Sequence, residues 1–145
     1  MQSELVPVDE VPVEATFAAL SANRRAVLID VRTRSEWTFV GVPDLSAIGK
    51  RAILVEWQTF PDQRGKSDFP ERLAAELDKT GVTRDDDLYF LCRSGGRSLS
   101  AAKAMAAVGY RRCHNASEGF EGPLGPDRKR NLAGWKVSGL PWSQS

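Results

Sequence analysis

Residues Cys92-Arg93-Ser94-Gly95-Gly96-Arg97-Ser98 follow an apolar run, Asp87-Leu88-Tyr89-Phe90-Leu91, and precede an alanine-rich stretch of helical periodicity. A cysteine at the carboxyl end of a strand, in a Gly-rich loop that feeds a helix, lies where an anion is stabilised. The backbone N–H groups of such a loop can turn inward as a nest. The helix N-terminus adds positive potential. Arg93 and Arg97 add two full charges. All of these favour the thiolate, the form of cysteine that attacks. Gly95 and Gly96 supply the unusual backbone angles an inward-facing nest requires. Arg93 is expected at the loop mouth, drawing in an anionic ligand or simply solvated. Arg97 suits closing the loop on Asp30 or Glu36, because its fork pairs a carboxylate bidentately. Ser94 and Ser98 offer hydroxyls to a bound anion, with Ser98 better suited to N-capping the helix that follows.

The elements that position this loop are legible as alternating strands and helices. Val13 to Leu20 has an amphipathic spacing, with Val13, Phe17 and Leu20 on one face. Ala26-Val27-Leu28-Ile29-Asp30-Val31 is a continuous apolar run, as in a strand covered on both faces. Thr33 and Glu36 have capping-box spacing, which predicts a short helix carrying Trp37. Gly41 to Gly49 reads as a loop, and residues 52–57 as a second strand. Pro61 to Asp68 is polar and turn-rich. Asp68 and Glu71 have N-cap spacing before a helix that carries Phe69, Leu73 and Leu77 and stops near Gly81. Residues 87–91 form the next strand, 98–108 a helix stopped by Gly109, and 110–114 a last short strand.

Beyond Ser117 the chain turns irregular and rich in Gly and Pro, yet it holds Phe120, Trp135, Leu140 and Trp142. A disordered tail rarely keeps so many large apolar groups. Residues 117–145 are therefore expected to pack back on one domain spanning 1–145. Alternating βα units imply an α/β fold, a mostly parallel sheet with helices on both faces. Ligand sites in such sheets lie at the carboxyl ends of strands, where both Cys92 and Asp30 fall.

Composition narrows the function further. The chain has 145 residues and a net charge of +1, so no global basic field points to nucleic acid or a membrane surface. The run Arg128-Lys129-Arg130 is short and reads as a solvated loop. Two cysteines, Cys92 and Cys113, make no disulfide framework. Cys113 and the adjacent His114 supply only two groups where structural zinc takes four, so no metal is expected. Cys113 as a resolving thiol is the other open role. The first residues lack the basic start and apolar run of a signal peptide, and no apolar run reaches membrane-spanning length. A reducing cytoplasm is the expected location.

The chain resembles a single-domain rhodanese, a sulfurtransferase. Leu28-Ile29-Asp30-Val31-Arg32 followed by Ser35-Glu36-Trp37 is similar to that family's first signature, and Cys92 to Ser98 to its active-site loop. Gly134-Trp135-Lys136 and Gly139-Leu140-Pro141-Trp142 resemble the tail of some bacterial members. Two stretches depart from the pattern: Gly41-Val42-Pro43-Asp44 lacks the histidine often present there, and Ala116-Ser117-Glu118-Gly119 replaces the usual Gly-Gly. The resemblance implies a rhodanese-like domain in which Cys92 attacks an anionic, thiosulfate-like donor and carries its outer sulfur as a persulfide. A thiophilic acceptor, cyanide or a thiol or a sulfur-accepting protein, then takes that sulfur. No cofactor is implied. Asp30, Arg32 and Glu36 are implied as loop supports rather than bases. Two rival readings are an interaction or relay module of the same fold, and a cysteine phosphatase or arsenate reductase. Phosphatases resembling this fold place five residues between Cys and Arg; here Arg93, Ser94, Gly95 and Gly96 make four, a smaller cradle.

Overall fold

The computed structural model describes residues 7–58 and 68–144. The turn-rich segment expected at 61–68 lies outside the described residues except for Asp68. In chain order the elements are β1 (Asp9–Val11), α1 (Val13–Ala22), β2 (Val27–Asp30), α2 (Arg34–Val40), β3 (Val42–Pro43), β4 (Ile53–Leu54), α3 (Phe69–Lys79), β5 (Asp87–Leu91), α4 (Gly96–Ala107), β6 (Arg112–Ala116) and β7 (Trp142–Ser143). A single 3-10 turn, Ser46–Ile48, interrupts the loop expected between Gly41 and Gly49.

Five strands make one sheet in the order β1-β6-β5-β2-β4, with each pairing parallel. The short strands β3 and β7 pair antiparallel in a separate ribbon. Strand β5 sits at the centre, flanked by β6 and β2. Its alternation divides the core. Leu88 and Phe90 face Phe69, Leu73 and Leu77 of α3 and Ala101, Ala102 and Met105 of α4. Tyr89 and Leu91 face Val13 and Leu20 of α1, together with Phe120 and Trp135. Period-2 side chains on a sheet covered on both faces give this pattern, and it explains the unbroken apolar run. The alanines of α4 let that helix lie close to β5 and β6.

Three expectations change. The second strand is shorter than residues 52–57: regular strand covers Ile53–Leu54, while Val55 and Trp57 N–H still donate to the Asp30 and Val31 carbonyls, so β4 is a short edge. The last strand begins two residues later than expected and runs to Ala116. The N-terminal strand β1 was not anticipated. Its three residues Asp-Glu-Val carry no apolar pattern, and it exists because β6 offers a free edge. At the start of α3, Asp68 occupies the N-cap position without a side-chain capping bond.

The irregular C-terminal stretch supplies part of the second core layer. Phe120 and Trp135 are fully buried, and the Trp135 indole N–H donates to the Pro141 carbonyl at 2.7 Å. Phe17 of α1 meets the Trp135 ring edge-on at 5.8 Å between centroids. Trp142, by contrast, is 39% exposed, with the Lys136 ammonium 3.8 Å from its ring centre. Truncating Trp135 to Ala removes a large core side chain and is expected to cost about 3–5 kcal/mol in urea unfolding. A cost below about 1 kcal/mol would mean that the tail is not part of the core.

Candidate active site

Strand β5 ends at Leu91, so Cys92 emerges at its carboxyl end beside the matching end of β2. The Cys92 side chain is 1% exposed. Its Sγ receives the Gly95 backbone N–H at 3.1 Å and lies 3.2 Å from the Ser98 hydroxyl. Helix α4 starts immediately, with Gly95 as N-cap and Gly96 as its first residue. The thiol thus sits under the amino end of a twelve-residue helix with a loop N–H aimed at it.

The loop is held from below by backbone. Phe120 N–H donates to the Cys92 carbonyl at 2.8 Å, and both Glu121 and Gly122 N–H donate to the Arg93 carbonyl at 3.0 Å. Two glycines make this approach possible. Gly95 has φ +108°, and a Cβ there would stand 2.2 Å from the Ser117 carbonyl oxygen. Gly119 has φ +77°, and a Cβ there would stand 2.4 Å from the Arg93 carbonyl oxygen. The expectation that Gly96 also serves an unusual backbone angle is corrected. Gly96 opens α4, has no positive φ, and has open space where a Cβ would be.

Arg97 closes the loop on Glu36, one of its two expected partners. Nη1 meets Oε1 at 2.7 Å and Nη2 meets Oε2 at 2.9 Å, a bidentate pair largely shielded from water. The same Glu36 is the capping-box acid of α2. Its Oε1 accepts the Thr33 N–H at 3.0 Å, while the Thr33 hydroxyl accepts the Glu36 N–H. Burial alone would raise the Glu36 pKa. The hydrogen bonds from Arg97 and Thr33, with the Arg97 charge, outweigh it and hold the carboxyl at about 2. The Arg97 guanidinium is correspondingly raised, by the Glu36 hydrogen bonds first.

Asp30 takes the other arginine. The Arg32 Nη2 meets Asp30 Oδ2 at 2.7 Å and the Gly41 carbonyl at 2.8 Å, and both side chains are wholly buried. The Arg32 guanidinium also stacks on Phe120, 4.2 Å from the ring centroid. Since Phe120 N–H holds the Cys92 carbonyl, Arg32 supports the loop through that ring. Arg93 and Ser94 are exposed, and among the described residues the Arg93 side chain has no ion pair. Of the loop's two cations, Arg93 is therefore the one open to an incoming anion.

Ser98 is not the helix cap. It lies in the first turn of α4, fully buried, with its hydroxyl between Cys92 Sγ and Asn115. Asn115, on β6, went unnoticed in the sequence. It is 1% exposed, its Oδ1 is 2.5 Å from Ser98 Oγ, and its Nδ2 donates to Gly95 O at 3.1 Å and Glu10 Oε1 at 2.8 Å. Asn115 falls just past the strand expected at 110–114, and nothing in its local sequence marks it, because its partners come from β1 and α4.

Cys113 and His114 do not join the site. Cys113 pairs with Leu88 across the sheet, four residues before Cys92, so the two thiols lie about 13 Å apart along the strands. Burial pushes the Cys113 thiol up to about 12, and it faces the Tyr110 carbonyl. That separation and burial oppose a resolving role, since a disulfide needs Cα atoms within about 7 Å. Both His114 ring nitrogens are engaged, by Asp9 at 2.6 Å and Asp87 at 2.8 Å. Among the described residues, no group of three or more His, Cys, Asp and Glu is placed to hold a metal ion.

A parallel sheet with a buried thiol at the carboxyl end of its central strand, under a helix N-terminus, is a rhodanese-like arrangement, and the comparisons agree. The chain belongs to the family described as the STR4 middle domain, whose model matches residues 9–145. The crystal structure of Rv0390 from M. tuberculosis superposes with a TM-score of 0.81 at 41% identity, covering 97% of this chain and 99% of that one. An uncharacterized protein of Rickettsia conorii is 40% identical over 127 residues, covering 87% of this chain and 89% of its own length. The chloroplastic rhodanese-like domain-containing protein 4 of Arabidopsis thaliana is 27% identical over 126 residues, 87% of this chain but 24% of that protein. The fold is rhodanese-like, and relatives with this fold include sulfurtransferases.

The two loop glycines respond differently to the same change. Gly95→Ala, strained in φ and colliding with Ser117, is expected to lower the melting temperature and disorder the loop, while Gly96→Ala leaves both intact or gains about 0.4–1 kcal/mol. Equal effects on thermal unfolding would show that the loop does not adopt this backbone. Glu36 carries a pH signature. Its folded pKa of about 2 lies below the ordinary 4.5, so its stabilisation is present above 4.5 and lost as pH falls toward 2. Melting temperatures of wild type and Glu36→Gln should differ at neutral pH and converge across that acid window. A gap that stays constant down to pH 2 would sever Glu36 from Arg97.

Proposed function

We propose that this chain is a sulfurtransferase that moves sulfane sulfur from an anionic, thiosulfate-like donor to a thiophilic acceptor through a Cys92 persulfide. The observation that carries the reading is the Cys92 sulfur itself, buried under the N-terminus of α4 with the Gly95 N–H on it. An anionic sulfur at that point gains a hydrogen bond and the helix field.

The cycle has two displacements at sulfur. The Cys92 thiolate attacks the outer sulfur of the donor, a new S–S bond forms, and the donor's S–S bond breaks with its electron pair leaving on sulfite. The outer sulfur, now bound to Cys92, is the one that an acceptor attacks, because Sγ is then the leaving group and its charge is met by the Gly95 N–H. A nucleophile such as cyanide or a thiol bonds to that sulfur, and the Cys92 Sγ leaves as thiolate. Exposed Arg93 draws the anionic donor to the mouth. Arg97, spent on Glu36, keeps the loop's shape instead of binding substrate. Asp30 and Arg32 neutralise each other in the interior and act only as scaffold. A reducing compartment such as the cytoplasm would keep the thiol available, and no helix among the described residues is long and apolar enough to cross a membrane. A small-molecule or protein thiol as acceptor, without nucleic acid or membrane, completes the proposal.

Intact-protein mass spectrometry of the reduced protein after thiosulfate tests it. One added sulfur on wild type, none on Cys92→Ser, and its removal by cyanide are expected. Sulfur retained on Cys92→Ser, or none on wild type with thiosulfate, mercaptopyruvate and a persulfidated thiol alike, would overturn the mechanism.

A further inference from the structure

Ser98 Oγ carries one proton and has three acceptors within reach: Asn115 Oδ1 at 2.5 Å, Gly95 O at 3.2 Å and Cys92 Sγ at 3.2 Å. The orientation of the Asn115 amide is fixed by its other partners. Nδ2 donates to two acceptors, Gly95 O and Glu10 Oε1, so turning the amide over would set oxygen against oxygen twice. Oδ1 therefore faces Ser98, and the shortest line is the one along which the hydroxyl proton rests. With the proton there, a Ser98 lone pair is turned toward Sγ. That arrangement suits a thiol, whose S–H can donate to Ser98 Oγ, and it leaves the inner sulfur of a persulfide, a weak acceptor, without the Ser98 hydrogen bond. When Sγ bears the charge, it becomes the stronger acceptor, since charge-assisted bonds are about twice as strong as neutral ones. Rotation about the Ser98 Cβ–Oγ bond brings the proton onto it without moving a heavy atom.

We infer that Asn115 is a positioning residue that holds the Ser98 proton away from Cys92 while its sulfur is neutral and releases it as charge develops there. The inference rests on the proposed sulfur transfer for its place in the cycle, but not for its geometry. In the discharge step the acceptor forms a bond to the outer sulfur, the Cys92 Sγ–S bond breaks, and the electron pair goes to Sγ. The Ser98 hydrogen bond to Sγ is made during that step and is absent before it. An interaction gained only toward the transition state accelerates the step. Asn115 acts entirely through Ser98 and touches no reacting atom. Gly95 O retains the Leu99 N–H when Asn115 is removed, so the helix start stays satisfied. The charged groups around Sγ are the Arg97–Glu36 pair against α2, the Asp30–Arg32 pair at the end of β2, the Glu10 carboxylate on β1 and the loop's own exposed Arg93.

Ser98→Ala and Asn115→Ala move the site in opposite directions, which a merely structural role would not do. The first readout is the pH dependence of iodoacetamide alkylation of the full reduced chain, with Cys92→Ser as blank. The half-maximal pH is expected to rise in Ser98→Ala, which loses the donor, and to fall in Asn115→Ala, where the donor is uncontested. The second readout is the split between half-reactions in single turnover. Discharge to cyanide slows by roughly tenfold in Ser98→Ala, while Asn115→Ala slows loading from thiosulfate and leaves discharge no slower. Alkylation profiles that shift the same way in both variants, or an unmoved profile in Asn115→Ala, overturn the inference. If wild type takes no sulfur, the proposed function fails alone, and the alkylation profiles still decide the role of Asn115.

Discussion

The structure depends on backbone meeting backbone beneath the Cys92 loop. Two successive carbonyls of that loop, Cys92 and Arg93, are taken by N–H groups of the segment after β6. Such contact requires that no side chain intervene, and Gly95 and Gly119 sit at the two points where a Cβ would enter van der Waals overlap. Buried peptide groups must find partners. Here the loop and the C-terminal segment satisfy each other. This is why a largely irregular stretch, from Gly119 to the short strand β7, is tied to the centre of the sheet, and why Phe120 and Trp135 can complete the core from there.

Charge is distributed around that frame with little overlap of roles. Arg32 and Asp30 form a fully buried pair whose desolvation is met in part by hydrogen bonds and by the Phe120 ring, while Arg32 Nη1 has no hydrogen-bond partner among the described residues. Removing one member of such a pair leaves an uncompensated charge, which is far worse than losing both. Arg97 and Glu36 form a second pair nearer the surface that joins α4 to α2. With two arginines committed to carboxylates, the thiol's surroundings are set mainly by dipoles: the Gly95 N–H, the α4 N-terminus and the Ser98 hydroxyl. The first two are fixed by backbone and need no reorganisation as charge appears and disappears on sulfur, whereas the hydroxyl answers by rotating its proton.

The sheet's topology then places the two thiols apart. Register sets Cys92 at the carboxyl end of β5 and Cys113 near the start of the adjacent strand. Both are buried in the layer under α3 and α4, but the Cys92 sulfur receives the loop's Gly95 N–H, whereas the Cys113 thiol faces the Tyr110 carbonyl. The candidate site lies at one end of the sheet, where among the described residues strand ends, a helix start and irregular backbone converge around Cys92.

Residues 87–98 were readable because their signals are local: an apolar run, a cysteine, two glycines and a helix pattern in order along the chain. The capping box of Thr33 and Glu36 was readable for the same reason. The sequence by itself determined the α/β alternation, the position of the candidate nucleophile and the short list of partners for Arg97. Tertiary structure decided what needed distant segments to meet. It chose Glu36 over Asp30, because Arg32 two residues along the chain already saturates Asp30. It turned Ser98 from a helix cap into a neighbour of sulfur, because the helix begins two residues earlier, at Gly96. It brought Asn115 and the unpatterned strand β1 to the site through parallel pairing that no local period encodes. Hydrogen-bond partners far apart in sequence are fixed by register and packing, and neither is written within any one segment of the chain.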